Sequence, residues 1–391
     1  MEIEQIGSNS KKILDIPSSV SIRRKNQNNP FITYLNINSL RNKIHDLRTL
    51  VAEISPEVLT ISETKLDNSF PDAQFLIDGY QNPHNLRKDR TKNGGGLITF
   101  IKKGIPHKRL LDIEPKNLEI ICMEITFGKR KWGYVAIYRP PDMNITDFFN
   151  DLAKCQEQLI NRYDHTIITG DINININDST SIGYTKYENF LDTFGLSNII
   201  KWDTCFTKRN ENHISSSIDV FLTNSPKKLF NTYSVSTGIS DVHVLIGSLL
   251  KASFHRAPPQ EIEYRNYKHL YQNFDNFRSD IKNINISEED PNRYYDNYTK
   301  TFQEILNKHA PLKKKKVRGN DGGFANKTLR NAWYKRSKLR NIYIKNENEN
   351  TWQNFKRQRN LCTSLKRKAK KISSLIRRKI EKVFGKYLDP L

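Results

Sequence analysis

The sequence predicts an α/β layered sandwich followed by a basic helical extension, and three observations carry that expectation. Over the first 250 residues, short apolar runs with strand character dominate, with amphipathic helical stretches between them. Several of the connections are too short to hold the crossover helices that a doubly wound parallel sheet requires. After Lys251 the strand pattern stops, and helical periodicity with dense Lys and Arg takes over.

Taken in order, residues 1–29 are rich in Ser, Asn, Lys and Pro with little periodicity, which predicts a disordered leader. A strand is expected over 31–36, then a helix on which Ile44, Leu47, Leu50, Val51 and Ile54 keep helical spacing, then a strand over 58–61 with Glu63 just past its end. Residues 71–93 read as a loop. Gly94-Gly95-Gly96 before the apolar run 97–101 predicts a tight turn. Runs 118–127 and 132–138 flank Gly128-Lys129-Arg130-Lys131 and read as a hairpin, which Pro140 and Pro141 stop. A helix over about 146–161 leads to a strand over 166–169. Its Gly170 delivers Asp171 and Asn173 in quick succession, and shorter strands follow near 218–222 and 244–250.

The first domain is therefore expected over 30–250, a linker marked by Pro258 and Pro259 over 251–286, and a basic helical extension over 287–391 with helices near 287–309, 327–346 and 351–385. In the last helix Leu361, Leu365, Ile372, Ile376, Ile380 and Val383 form an apolar stripe ringed by Lys and Arg. Trp333, Tyr334, Trp352 and Phe355 sit at helical spacing and are expected in a core rather than as platforms for bases.

Charge is unevenly placed. Residues 311–391 hold 25 Lys/Arg against 5 Asp/Glu, which is about +20 of the formal +22 of the 391-residue chain. A tail of that density predicts polyanionic partners, because neutralising phosphates releases their counterions. Four cysteines, Cys122, Cys155, Cys205 and Cys362, lack the spacing of a zinc site or a disulfide framework. No continuous apolar stretch suggests a signal peptide or a membrane span, so an intracellular protein, nuclear or cytoplasmic and not secreted, is expected. The run Lys313-Lys314-Lys315-Lys316-Val317-Arg318 fits a nuclear localisation signal and a solvated linker about equally well.

Polar residues recur at strand ends: Asn36 and Asn38, Glu63, Tyr138 and Arg139, Asp171 and Asn173, Asp219, then Asp241 and His243. Cleaving a phosphodiester calls for a divalent ion to offset negative charge, a group to orient or deprotonate water, and donors for the non-bridging oxygens. Carboxylates, amides and a histidine supply these. An oxygen-rich set with few carboxylates suits Mg²⁺, with Mn²⁺ as the alternative ion.

The segments Tyr34-Leu35-Asn36-Ile37-Asn38, Ser62-Glu63-Thr64-Lys65, Tyr138-Arg139-Pro140-Pro141, Gly170-Asp171-Ile172-Asn173, Ser217-Ile218-Asp219 and Ser240-Asp241-Val242-His243 resemble the exonuclease/endonuclease/phosphatase superfamily. Within it, Tyr-Arg-Pro-Pro and Ile-Asp-Val-Phe-Leu-Thr-Asn look like the endonuclease of non-LTR (LINE, jockey-like) retrotransposons, over about residues 30–250. The resemblance implies a four-layer sandwich in which two packed, mostly antiparallel sheets are flanked by helices. It also implies a Mg²⁺-dependent DNA endonuclease. Asn36, Glu63 and Asp241 would serve the metal, with Asn38 and Arg139 at the substrate. Asp171 would orient or deprotonate water. Asn173 and Tyr138 would hold the phosphate, and Asp219 would orient His243. Residues 309–362 look like the connector toward a reverse transcriptase, and no Phe/Tyr-x-Asp-Asp polymerase motif follows, so a truncated element product that binds DNA and element RNA is expected.

One departure stands out. The family's histidine directly follows the aspartate, whereas Val242 intervenes here, and along a strand that displacement would put His243 on the same side as Asp241 unless a bulge or loop absorbs it. His213 is the nearby reserve candidate. Two rival readings stand beside the nuclease: a catalytically inactive nucleic-acid-binding remnant, and a phosphatase or sphingomyelinase-like member of the superfamily.

Overall fold

Alternation along each strand explains how the layers form. In the strand Phe31–Asn36, Ile32 and Tyr34 point to one side while Phe31 and Leu35 point to the other, and both sides are fully buried. A computed structural model describes residues 13–209, 212–252, 260–265, 267–317 and 326–385. By contacts the chain divides into two units, Met1–Ala257 with Asn320–Leu391, and Pro258–Gly319.

The first unit is built on two sheets. One runs Ile13–Leu14, Leu229–Val235, Leu245–Leu250, Phe31–Asn36, Val58–Ser62, Leu97–Ile101, Arg87–Lys88; the other runs Ser197–Asn198, Asp219–Thr223, Thr166–Asp171, Arg130–Tyr138, Glu119–Phe127, His107–Arg109. Within these two sheets, three pairings are parallel, among them Phe31–Asn36 with Val58–Ser62 and Arg130–Tyr138 with Thr166–Asp171; the rest are antiparallel. Between the sheets lies a core that includes Ile32, Tyr34, Val58, Met123, Tyr134, Ile167 and Phe221. Helix Ile44–Ile54 covers the outer face of the first sheet through Leu47, Leu50, Val51 and Ile54. Helices Ile145–Ile160 and Ile182–Phe194 cover the outer face of the second through Phe148, Leu152, Leu159 and Phe190. This is the expected four-layer sandwich, and the helical extension follows it. Among the described residues, no helix is long and apolar enough to cross a membrane.

Several boundaries differ from the sequence expectation. Within the expected leader, residues 13–25 form an edge strand and a helix, Ile16–Lys25, whose N-cap Asp15 accepts from Ser18 N–H at 2.9 Å; residues 1–12 lie outside the described residues. Its composition reads as disorder because only Ile16 and Val20 supply apolar burial, while the rest of the buried side is Ser19 and Arg23, the latter paired with buried Glu57. The expected linker also carries structure: Gln260–Arg265 pairs antiparallel with Leu312–Val317, and helices Tyr267–Gln272, Phe274–Lys282 and Pro291–His309 lie between them. The lysines of 313–316 hide that strand, since the run reads as charge rather than as alternation.

The tail helices Lys327–Asn346 and Glu349–Gly385 belong to the first unit and pack against each other. Trp333 and Phe355 are buried, as expected of core residues. The buried face of the last helix is not the expected stripe. It runs through Phe355, Gln358, Cys362 and Ala369, with Leu365 of the expected stripe packed against it, leaving Leu361 and Ile372 about half exposed, while Ile376, Ile380 and Val383 lie outside the described side chains. The neighbours of this helix are polar as well as apolar, so the hydrophobic periodicity misplaces its face.

Candidate active site

Strand register assembles the site. Tyr138 is the Cα partner of Asp171, and Asp171 is the partner of Asp219, so three predicted residues form one row across the second sheet at a common strand end. Each continues the inward-facing alternation: Tyr134 and Ala136 precede Tyr138, Ile167 and Thr169 precede Asp171, and Phe221 follows Asp219. From the first sheet, Asn36 ends its own strand in the same sense, and Glu63 follows the last residue of the neighbouring strand.

Gly170 makes the close approach of strands possible. A Cβ there would lie 2.1 Å from the carbonyl oxygen of Ile137. Gly96 is as tightly placed, with a Cβ position 2.3 Å from Thr64 Oγ1 beside Glu63.

The amide of Asn36 joins the two sheets. Its Nδ2 donates to Glu63 Oε1 at 3.1 Å and to Asp171 Oδ2 at 2.8 Å, while its Oδ1 accepts from Asn38 N–H at 3.0 Å. Tyr138 Oη donates to Glu63 Oε1 at 3.3 Å. Burial, then the Glu63 and Asp171 carboxylates, push the phenol well above its ordinary value, so it remains a donor. Asp171 is buried, and burial followed by the Asp219 charge pushes its carboxyl up to about 7. His243 Nδ1 donates to Asp219 Oδ2 at 2.9 Å. Burial works against the imidazolium, but Asp219, then Asp171 and Glu63, outweigh it and raise the ring's proton affinity.

Backbone strain concentrates here. Asn38, Ser39, Glu63, Lys65 and Asn173 all hold positive φ, between 47° and 77°, a region that side-chain-bearing residues seldom occupy. Asn173 is kept there by its N–H on Asp171 Oδ1 at 2.8 Å and its Nδ2 on Arg139 O at 2.8 Å.

Two predicted residues are placed elsewhere. Asp241, expected beside the metal, turns outward: its side chain is 50 % exposed and pairs with Arg359 Nη1 at 3.0 Å. Arg139, expected at the substrate, is buried and donates to the carbonyls of Ile172, Asn173 and Met143, so it braces the turn behind the site. Asn38 is exposed, and its Oδ1 accepts from Lys65 Nζ at 2.6 Å. The reserve candidate His213 bonds Tyr343 Oη through Nδ1 at 2.8 Å, away from the row. The displaced His243 reaches Asp219 because residues 236–242 form a loop rather than a strand, and the loop absorbs Val242.

Other supporting residues escaped the sequence reading. Thr204 Oγ1 accepts from the N–H groups of Ile218 and Asp219, and Ser240 Oγ accepts from His243 N–H. Lys43 Nζ ties down the carbonyls of Ile37 and Asn38 at 2.7 and 2.9 Å. Lys65, 3.4 Å from Glu63 Oε2, stood inside a quoted motif; a lone threonine such as Thr204 gives no sequence signal.

The donor set suits a divalent cation. Ligand atoms of Asp171, Asp219 and His243 lie within 4.8 Å of one another, and Asp219 Oδ1 is buried with no hydrogen-bond partner among the described residues. With Glu63 beside them, these are mostly hard oxygens around a concentration of negative charge. A groove of about 290 Å³, lined by Lys88, Arg90 and Lys116 and equally by Asp89, Glu119 and Asp142, opens by the strand ends, where Glu119 is the register partner of Tyr138.

Residues 33–241 match the sequence model of the Endonuclease/Exonuclease/phosphatase family. None of the curated proteins matches the chain. Solved structures with a similar fold include the endonuclease domain of TRAS1, a telomere-specific non-LTR retrotransposon, at 13 % identity over 57 % of this chain and 98 % of that one, TM-score 0.47. A 3′ phosphatase from Neisseria bound to product DNA hairpin is similar at 18 % identity over 56 % and 99 %, TM-score 0.45. An AP endonuclease from Archaeoglobus fulgidus is similar at 15 % identity over 57 % and 100 %, TM-score 0.45.

Proposed function

This chain belongs to the endonuclease/exonuclease/phosphatase family, and from that premise we propose that it is a Mg²⁺-dependent DNA endonuclease, derived from a non-LTR retrotransposon, that nicks one strand by hydrolysis. The observation that carries this reading is the amide of Asn36 bridging Glu63 and Asp171, which makes one polar surface out of two sheets, with the His243–Asp219 pair completing it.

Glu63 would hold the metal, with Asp171 and Asp219 near enough to share its field, and Asn36, whose Nδ2 faces the Glu63 and Asp171 carboxylates and whose Oδ1 is taken by Asn38 N–H, would orient them around it. When bound, a divalent ion offsets phosphate charge and lowers the proton affinity of neighbouring groups. The chain's own residues divide the remaining work. Asp171, with a proton affinity close to neutrality, is suited to take a proton from the attacking water. Tyr138 Oη donates toward a non-bridging oxygen. His243, held by Asp219 and favoured in its protonated form, donates from Nε2 to phosphate oxygen as charge develops. Asn173, with its N–H on Asp171 Oδ1 and its Nδ2 on Arg139 O, shapes the turn that follows Asp171. The reaction would leave a 3′ hydroxyl.

DNA is proposed as the partner because the tail is basic, and element RNA is proposed as a second polyanion for the tail; a nuclear or cytoplasmic location goes with both. The test is conversion of supercoiled plasmid to open circle in Mg²⁺, beside EDTA and the Glu63→Ala and Asp171→Ala variants. Nicking that all three controls abolish supports the reading. A folded wild type that binds plasmid without nicking it supports the inactive remnant instead.

A further inference from the structure

The loop that carries His243 has little structure of its own. Between the strands Leu229–Val235 and Leu245–Leu250, residues 236–242 form bends, and Gly238 takes φ +68°. On one side this loop is held by the strand Cys205–Arg209 and Thr204 before it, where Phe206 N–H donates to Val242 O at 2.8 Å, Val244 N–H donates to Thr204 O at 2.9 Å and Cys205 bridges His243. On the other it is held by the tail helices. Ser337 Oγ donates to Ser236 O at 2.6 Å. Arg336 lies against Gly238 so closely that a Cβ there would sit 2.9 Å from its Nε. Arg340 Nη1 donates to the carbonyl oxygen of Asp241, and Arg359 Nη1 pairs with the Asp241 carboxylate at 3.0 Å. Asp241 thus receives a tail guanidinium on its backbone and another on its side chain, two positions before His243.

Arg340 is a specific device rather than a surface cation. It has no exposed surface, and its guanidinium stacks over the Phe355 ring at 5.5 Å. Burying a guanidinium is costly unless its bonds require it. Its described hydrogen bond goes to the loop carbonyl. The same helix pair is anchored elsewhere on the body, through Lys366 Nζ to Asp46 at 3.1 Å and Ile16 N–H to Ser337 Oγ at 2.9 Å, so the grip is exerted from a fixed frame.

We propose that the tail helix pair is part of the active site, and that Arg340, seconded by Arg359, is a positioning residue that holds the loop so that His243 meets Asp219 despite the intervening Val242. This rests on the nuclease reading of the site for its activity readout. It assigns the basic tail a role in turnover beyond attraction of nucleic acid. Losing the grip would let the loop move and the imidazole leave its partner, which lowers kcat while leaving DNA affinity nearly intact.

The experiment uses the full chain with Arg340→Met, Arg340→Lys, Arg359→Met, His243→Ala and the Arg340→Met/His243→Ala pair. Plasmid nicking gives kcat and KM, and proton NMR follows the hydrogen-bonded Nδ1 proton of His243, assigned by its loss in His243→Ala. Arg340→Met is expected to lower kcat by about 10²-fold, with KM nearly unchanged, and to weaken the Nδ1 proton signal. Arg340→Lys restores part of both. Arg359→Met, at an accessible pair, lowers kcat by about two- to fivefold. Adding Arg340→Met to His243→Ala costs little more, because both act through one group. A folded Arg340→Met with an unchanged Nδ1 signal and a loss expressed only in KM overturns the proposal. If Arg340→Met does not fold, an Arg359→Met protein with unaltered kcat and signal overturns it alone. A wild type that never nicks sinks the nuclease reading only, and the Nδ1 signal still decides the positioning claim.

Discussion

Asp219 and His243 form a buried pair at 2.9 Å in which one carboxylate oxygen serves the imidazole and the other is left without a hydrogen-bond partner among the described residues. Asp219→Asn would face His243 with either an amide donor or a neutral acceptor, upsetting the tautomer that exposes Nε2–H and removing the charge that favours imidazolium. Nicking is expected to fall by about 10²–10⁴-fold, with far-UV circular dichroism unchanged. Activity within a factor of two of wild type would exclude His243 from the chemistry.

The burial of Asp171, with repulsion from Asp219 added to it, gives a pH-dependent prediction in protein stripped of metal by EDTA. The folded Asp171 carboxyl titrates at about 7, above the unfolded value of about 4, so its contribution to stability is present below the unfolded value and is lost as pH rises through 7. His243, also raised, adds a loss of the same sign from about 6.5 upward. Asp171→Asn should therefore be more stable than wild type at pH 8, with the advantage shrinking toward pH 4, while its nicking is abolished. Urea unfolding across that range checks it, and an advantage that grows on acidification would contradict it. Adding Mg²⁺ should raise the melting temperature of wild type more than that of Asp171→Asn.

Gly170→Ala tests the strand approach that delivers Asp171. The added Cβ would meet the Ile137 carbonyl at 2.1 Å, a backbone atom that a side-chain rotation cannot clear. The strands must separate, at a cost of about 1–3 kcal/mol or more, read as a lower urea midpoint together with weakened nicking. An unchanged midpoint would mean that the sheet gives more readily than its packing suggests.

Arg23→Met tests whether the segment before Phe31 is integral to the fold. Arg23 pairs with Glu57 at 2.5 Å, and Glu57 also accepts from Phe31 N–H at 2.8 Å and Lys102 Nζ at 3.1 Å. Breaking a buried pair from one side costs about 3–5 kcal/mol, and the surviving Lys102 contact puts the expected loss at the lower end, measured by urea unfolding. A loss below about 0.5 kcal/mol, as for ordinary surface changes, would show the helix to be dispensable.

Much of the site was legible because strand ends speak in sequence. Tyr138, Asp171 and Asp219 each continue a period-two apolar run, so residue type and position point to the same edge. The failures occur where position is set by a non-repetitive backbone. Asp241 and Arg139 carry suitable chemistry in suitable motifs, but a loop turns one outward and a tight turn draws the other inward. The tail misled in a different way, because its buried face uses Gln358, Arg340 and Ser337, which hydrophobic periodicity counts as solvent-facing. The helix Ile16–Lys25 was missed for the same reason, with Arg23 and Ser19 on its inner side.

The bond from Arg340 to the Asp241 carbonyl spans 99 positions, and that from Ile16 to Ser337 spans 321. On a ribosome, where chains grow at about 5–20 residues per second, the tail side of the first contact arrives roughly 5–20 s after the loop side. Once Leu245–Leu250 has followed the loop, the sandwich strands have all been made for the rest of that interval, yet the loop bearing His243 lacks its clamp. The nascent polypeptide thus emerges with the His243 loop unclamped, and the clamp closes only after Arg340 and Arg359 have been made.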